Sequence, residues 1–414
     1  MKKLVFISLM ACFGCLKEKN ADPGVPETFV RYFNGGFNDN AADIKATADG
    51  GFILLATTEV RPDEVTTPRY KIKMIKTDQY GNLTWQKIFP DYSSSIDSVS
   101  FRGRSITILR DGSGLESGYV VVGDSIQKGQ SASETHLRIM LTDLEGNITR
   151  AKNLKPNYGV SGSGVTVNSS GNFIVLGEAV NPQATTNMFL VELSSNLDST
   201  WSRSFGAGAS NLANRLFIDS QSNLFWSGTV TKENRTDIRF VKTPPNSEVT
   251  EFDLQIGNPL FNESGNDICL YGFGYAIVGS TDDTDNRDDD ILFKRLAQDG
   301  RELASHKYGF ESQTDKGLSI SQALDGGLIL LGSVDSHIAG DGTQIGRGGK
   351  DYFLIKINAF GDEEWRQVFG SKNDDIGASV LANTDGSYVI FGTTIWGGLR
   401  TLSLIKTDSK GNIE

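Results

Sequence analysis

One short pattern recurs seven times along the chain: a turn containing Gly, Asn or Ser, an apolar run of strand length, and in most copies a Gly. The copies read DGGFILLATT, SGYVVVGDS, SGNFIVLGE, SNLFWSGTV, GFGYAIVGST, DGGLILLGSV and DGSYVIFGTT. Their first apolar residues are Phe52, Tyr119, Phe173, Leu224 (or Phe225), Tyr275, Leu328 and Tyr388, roughly 50 to 67 residues apart. Each unit has room for four strand-like segments, the content of one blade of a β-propeller. In the sixth unit these are GLSISQAL, GLILLGSV, DYFLIKIN and EWRQVFG, with the polar stretch DSHIAGDGTQIGRGGK read as a long loop between the second and third. Period-two alternation in RYKIKMI fits a strand, and no stretch holds a 3.6-residue apolar period. The expected fold is all-β: a seven-bladed propeller of four-stranded antiparallel blades, spanning residues 28–414 as one domain.

The fourth segment carries aromatic pairs spaced by four: Trp85 and Phe89, Trp201 and Phe205, Trp365 and Phe369. That spacing puts both rings on one face of a strand, to fill the space between blades. The seventh unit, ending in LSLIKTDSKGNIE, lacks this segment. The stretch ETFVRYFNGG near the other end supplies it, with Phe29 and Phe33 four apart and followed by Asn-Gly. A ring left open would expose two sheet edges, so the N-terminal strand is expected to pair into the last blade.

Charge limits the partners. There are 40 Lys plus Arg against 51 Asp plus Glu, a net charge of -11, which repels phosphate backbones and argues against nucleic acid. Residues 1–15 read as a leader: Lys2 and Lys3, then LVFISLMACFG, an apolar run too short to span a bilayer. It ends in MACFGCLKEKN, where a Cys after small residues resembles the lipobox of bacterial lipoproteins. Cys12 and Cys15 compete for the acyl chains, and Cys15 is favoured because it leaves the longer apolar core and is soon followed by charge. Several acyl chains would anchor the protein, and residues 16–27 would be a polar tether. Only Cys269 remains downstream, so no internal disulfide is expected.

The stretch GGKDYFLIKINAFGDEEWRQVFGSKNDDIGASVLANTDGSYVIFGTT resembles the propeller-type repeats of secreted and surface proteins of Bacteroidota. Asp351, Tyr352, Leu354, Lys356, Gly361 and Trp365 carry the match, and Phe353 stands where that pattern has Trp. The resemblance implies a monomeric propeller displayed at the outer membrane or cell surface. CLKEKN is similar to the charged segment that sends such lipoproteins outward.

Function is expected on the face that gathers the longer loops, around the central channel. Asp39, Asp315 and Asp375 each stand thirteen residues before the first apolar residue of their second strand, and Asp267 has a related setting in GNDI. A partial ring of these carboxylates would bind a cation or a basic partner; the same residues would equally cap turns by accepting backbone N–H bonds. In STDDTDNRDDDILF, Asp283, Asp285 and Asp288 have oxygen-ligand spacing for calcium, though without the Gly and Glu of an EF-hand loop. Trp396, in the IWGGLR segment, is a candidate for an exposed aromatic patch or for a loop folded back on the ring. His136, His306 and His337 form no zinc pattern, and no nucleophile elbow exists, so no catalytic residue is assigned. The expectation is a non-enzymatic binding module for a protein or glycan, with no cofactor unless calcium. The alternative is a carbohydrate-active enzyme, hydrolase or lyase, working through a pair of channel carboxylates.

Overall fold

The computed structural model describes residues 28–61, 69–90, 99–128, 133–154, 160–180, 185–206, 210–244, 249–283, 288–311 and 313–413. The leader, the tether, Cys15 and Asp285 lie outside them. The described residues form seven four-stranded antiparallel sheets arranged as the blades of a propeller, with no helix among them. Blade 1 runs Asp39–Ala46, Phe52–Val60, Arg69–Thr77 and Leu83–Phe89 from the channel outward. Blade 6 runs Asp315–Gln322, Leu328–Ile338, Gln344–Ile357 and Glu363–Phe369. Blade 7 takes Asp375–Ala382, Tyr388–Trp396 and Leu399–Thr407 from the C-terminal end and Phe29–Phe33 from the N-terminal end.

The second strand of each blade is a nearly unbroken apolar run because both of its faces are covered. Alternate residues enter opposite blade junctions: Phe52 and Leu54 pack toward blade 7, Ile53 and Leu55 toward blade 2. The core is therefore seven apolar clusters, one at each junction, rather than one central core.

The recurrent Gly of the second strand has a steric cause. Opposite it the first strand bulges by one residue, as between Gly265 and Asp267, and pushes a carbonyl inward. A Cβ on Gly279 would lie 1.7 Å from the Ser264 carbonyl oxygen. The bulge also turns the following side chain toward the ring axis.

The seam closes as the sequence indicates. Phe29–Phe33 pairs with the last strand in antiparallel register, from Phe29 opposite Lys406 to Phe33 opposite Leu402. Phe29 and Phe33 are buried with Ile44 and Phe52 of blade 1 and Phe391 and Leu404 of blade 7. Phe29 packs over Gly81 of the next blade's turn as Trp85 packs over Gly146 and Trp365 over Gly411. Each backbone hydrogen bond of the pair contributes about 0.5–1.5 kcal/mol and each buried Phe about 1.5–3 kcal/mol.

Two expectations need correction. The stretch after GLILLGSV is no open loop: strands two and three of blade 6 continue as a polar hairpin, with His337 opposite Ile345 and a turn closed by Ala339 N to Thr343 O at 2.8 Å. Its residues alternate without an apolar face, so a burial pattern could not reveal it. Trp396 likewise ends a strand, opposite Leu399, across a turn of Gly397 and Gly398 with φ of 60° and 83°.

Candidate functional site

The residues that follow the bulges sit on the innermost strands, where several of them meet residues of other blades. In blade order these positions are Asp43, Ser105, Gly164 (which has no side chain), Arg215, Asp267, Ser319 and Ser379. Arg215 reaches across the bore. Its Nε donates to Asp267 Oδ1 at 3.0 Å and its Nη1 lies 3.2 Å from Asp43 Oδ1. Lys45 Nζ is 2.7 Å from the same Asp43 oxygen. The outer oxygens are also used: Ser105 Oγ and Ile106 N donate to Asp43 Oδ2 at 3.2 and 3.1 Å. Ser319 Oγ and Ile320 N donate to Asp267 Oδ2 at 2.7 and 3.1 Å, and Val380 N donates to Ser319 Oγ at 3.3 Å. This hub ties together blades 1, 2, 4, 5, 6 and 7. Burial alone would raise the Asp43 carboxyl; Lys45, Arg215 and the Ile106 N–H more than offset it and hold Asp43 below its ordinary value. Arg215 is raised, the two carboxylates outweighing its burial.

Asp267 thus belongs to the hub and not to the ring of blade starts in which the sequence placed it. Glu263 occupies the blade-start place in blade 5, opposite Thr281 as Asp39 is opposite Thr58. Asp39, Asp315 and Asp375 do begin their blades, and all three are buried. Their settings differ. Asp39 accepts from Lys73 Nζ at 2.6 Å. Asp315 Oδ2 accepts from Phe310 N at 2.7 Å and Asp375 Oδ2 from Ser371 N at 2.6 Å, the turn-capping role the sequence allows.

Capping does not account for what faces them. The third strand of the preceding blade contributes a second carboxylate at each place: Asp290 opposite Asp315, and Asp351 opposite Asp375. Both pairs flank a glycine at the end of an outer strand. The place where a Cβ of Gly309 would sit is 2.2 Å from Asp290 Oδ1 and 2.7 Å from Asp315 Oδ2. For Gly370 the distances are 1.9 Å to Asp351 Oδ1 and 2.8 Å to Asp375 Oδ2. Only glycine lets the two acids approach so closely. Burial, with Asp290 nearby, pushes Asp315 up to about 7. Burial and the charges of Asp288, Asp283 and Asp289 push Asp290 up to about 6 against the opposing pull of Lys307. Asp375 is also raised, chiefly by burial.

The junction of blades 6 and 7 opens sideways into a cleft of about 490 Å³ whose lining includes Tyr32, Arg347, Tyr352, Gln367, Ser371 and Asp375. At its edge Trp396 packs on Tyr32 with ring centroids 5.3 Å apart. The rings remain 56% and 48% exposed, so Trp396 is both folded back on the closing strand and part of an exposed aromatic pair.

In the acidic loop of blade 5, Asp283 is 3.3 Å from Lys307 Nζ and Asp289 is 3.3 Å from Lys316 Nζ, so lysines already neutralise part of it. Among the described residues no three His, Cys, Asp or Glu side chains converge as a metal cluster. Cys269 is buried in the cluster between blades 5 and 6. The sequence reading missed Asp43, Lys45 and Arg215 at the hub and Asp290, Asp351 and Tyr32 around the junctions. Superposing the units would have found Asp290 and Asp351, which stand directly before the apolar runs ILF and YFL of their third strands.

No family model matches the chain, and no curated protein does. Solved structures are similar at low identity. Puromycin hydrolase is 10% identical over 86% of this chain and 50% of its own, with a TM-score of 0.50, so this chain spans about half its length. YCF48 bound to D1 peptide is 9% identical over 92% of this chain and 95% of its own, with a TM-score of 0.49. A protein of unknown function from Bacteroides caccae is 10% identical over 75% of this chain and 93% of its own, with a TM-score of 0.38. At such identity a likeness speaks to the fold alone.

Proposed function

We propose that the chain is a non-enzymatic interaction module, held at the outer membrane or cell surface by lipid on Cys15. It takes a protein or glycan partner at the cleft between blades 6 and 7. The observation that carries this reading is the Tyr32–Trp396 pair, two exposed rings at the edge of a cleft that also presents Arg347, Gln367 and Asp375. Aromatic faces beside a few directed polar groups are what peptide and sugar partners use. The alternative of channel carboxylates acting as a glycosidase pair loses support at the hub. Asp43 and Asp267 are both ion-paired to Arg215, which leaves neither free to serve as acid or nucleophile.

The test is crosslinked capture from intact cells with the natural protein and with Trp396→Ala and Tyr32→Ala, melting temperature being followed alongside. Loss of captured partner with unchanged melting supports the cleft; undiminished capture by both variants contradicts it. Protease accessibility on whole cells, and release of Cys15→Ala into the soluble fraction, test the anchor separately.

A further inference from the structure

The carboxylate pair at the junction of blades 6 and 7 has a feature the interaction reading does not use. Asp351 has no exposed surface. Its Oδ2 accepts from Ser336 Oγ and from Arg347 N, the latter at 2.8 Å. Its Oδ1 is buried with no hydrogen-bond partner. That orphaned oxygen is the atom aimed over Gly370, at the same point as Asp375 Oδ2, which puts the two oxygens within about 5 Å of each other. Two carboxylates withdrawn from water side by side, with an oxygen unsatisfied, are costly unless a proton or a cation joins them.

The fold itself does not demand acids here. At the junction of blades 3 and 4 the equivalent strand positions hold Asn187 and Asn211. There Asn211 Nδ2 donates to the Gly206 and Thr186 carbonyls at 3.0 and 3.1 Å. Asn211 Oδ1 in turn accepts from Arg239 Nη1 at 2.7 Å, so this junction is built on amides and a resident cation in place of an acid pair, although Asn187 Oδ1, like Asp351 Oδ1, has no partner. The acid pair recurs at the neighbouring junction, where Asp315, wholly buried, faces Asp290 over Gly309 with its Oδ2 and keeps its other oxygen, Oδ1, without a partner.

We propose that Asp351 and Asp375 bind a hard divalent cation, calcium in preference to magnesium, at the inner end of the seam cleft, with Asp290 and Asp315 forming a second copy of the site. The donors are all oxygen, which suits calcium and magnesium and not the softer metals. Calcium accepts six to eight oxygens in adaptable geometry, so two carboxylates can be completed by backbone carbonyls, hydroxyls and water; magnesium demands a strict octahedron and gives up water reluctantly. Gly370, Ser371 and Asp375 line the cleft, which gives the ion a way in. In the acidic loop of blade 5, lysines are already paired with Asp283 and Asp289, which favours the junction pairs over the loop.

The test uses the purified full-length protein stripped with EDTA and then titrated with calcium chloride, with melting temperature and sensitised terbium emission as readouts. Calcium at a hundredfold excess over its Kd is expected to raise the melting temperature by about 3 °C per site. Terbium emission, excited through the protein's tyrosines and tryptophans, is expected to appear and to be displaced by calcium. Asp351→Asn and Asp290→Asn, in one chain, should abolish the shift, while Asp283→Asn should keep it. Should the double variant fail to fold, terbium emission and its displacement in the natural protein decide alone. Absence of any calcium shift or terbium emission overturns the proposal, as does loss of the shift in Asp283→Asn. A magnesium shift equal to the calcium one overturns the preference for calcium.

Discussion

Asp43 and Asp315 are both carboxylates without exposed surface on the first strand of a blade, yet they live in opposite electrostatic surroundings. Asp43, past the bulge, meets Lys45, Arg215, a serine hydroxyl and a backbone N–H. Asp315, at the blade start, meets another aspartate and one N–H, with Arg366 too weak to offset its burial, and one of its oxygens has no partner. The hub is a closed account of charge that locks the ring, and its residues have nothing left to offer a ligand. The junctions of blades 5, 6 and 7 keep their need unmet. On the proposed reading, the hub is structural and the junctions of blades 5, 6 and 7 carry the binding.

The contrast presumes a closed ring, so the largest effect is expected from opening it. Deleting residues 28–33 removes the closing strand and the buried Phe29 and Phe33, and should abolish cooperative unfolding in a calorimetric scan; an unchanged melting transition would refute the closure. Next comes the hub. Arg215→Met strands Asp43 and Asp267 without a shared cation and should cost about 3–5 kcal/mol in urea unfolding at pH 7.5. The loss should shrink at pH 5, where the stranded acids can take up protons.

A smaller effect separates the two kinds of acid by pH. Asp43 has a folded pKa below its unfolded value, so its contribution is present at neutral pH and fades only as pH falls through that low value. Asp315 and Asp290 are raised to about 7 and about 6, so their contribution is full below the ordinary carboxylate range and is lost as pH rises through those values. In EDTA the protein should therefore be more stable near pH 5 than at pH 8, and calcium should flatten that slope. A urea series across pH, with and without calcium, measures both. The smallest effects belong to the surface: Trp396→Ala and Asp283→Asn should each change stability by under about 1 kcal/mol, the first while removing partner capture.

The architecture was legible because it rests on local signals repeated seven times: turn, apolar run, glycine, and aromatic pairs four apart. Even the seam could be read, since Phe29 and Phe33 repeat the spacing of Trp365 and Phe369. The chemistry was not, for two physical reasons. A single-residue bulge decides whether an acid faces the axis or the junction, and it leaves no mark in composition, so Asp267 was placed with Asp39 when it belongs with Asp43. The carboxylate pairs are also assembled from different blades, so a reading unit by unit sees Asp315 and Asp375 without Asp290 and Asp351. Arg215 shows the same blindness at greater range, since its partners lie in blades 1 and 5. The polar hairpin of blade 6 read as loop because neither of its faces is buried.

Two isosteric substitutions compared at pH 8 in EDTA put the contrast between hub and junction to its most direct trial. Asp267→Asn discharges one partner of Arg215 and should lower the unfolding free energy by about 1–3 kcal/mol. Asp315→Asn removes a charge that faces Asp290 and whose burial Arg366 only partly offsets, and should raise that free energy by about 1–3 kcal/mol. Opposite signs are the expected result; a loss of stability in both would contradict the account.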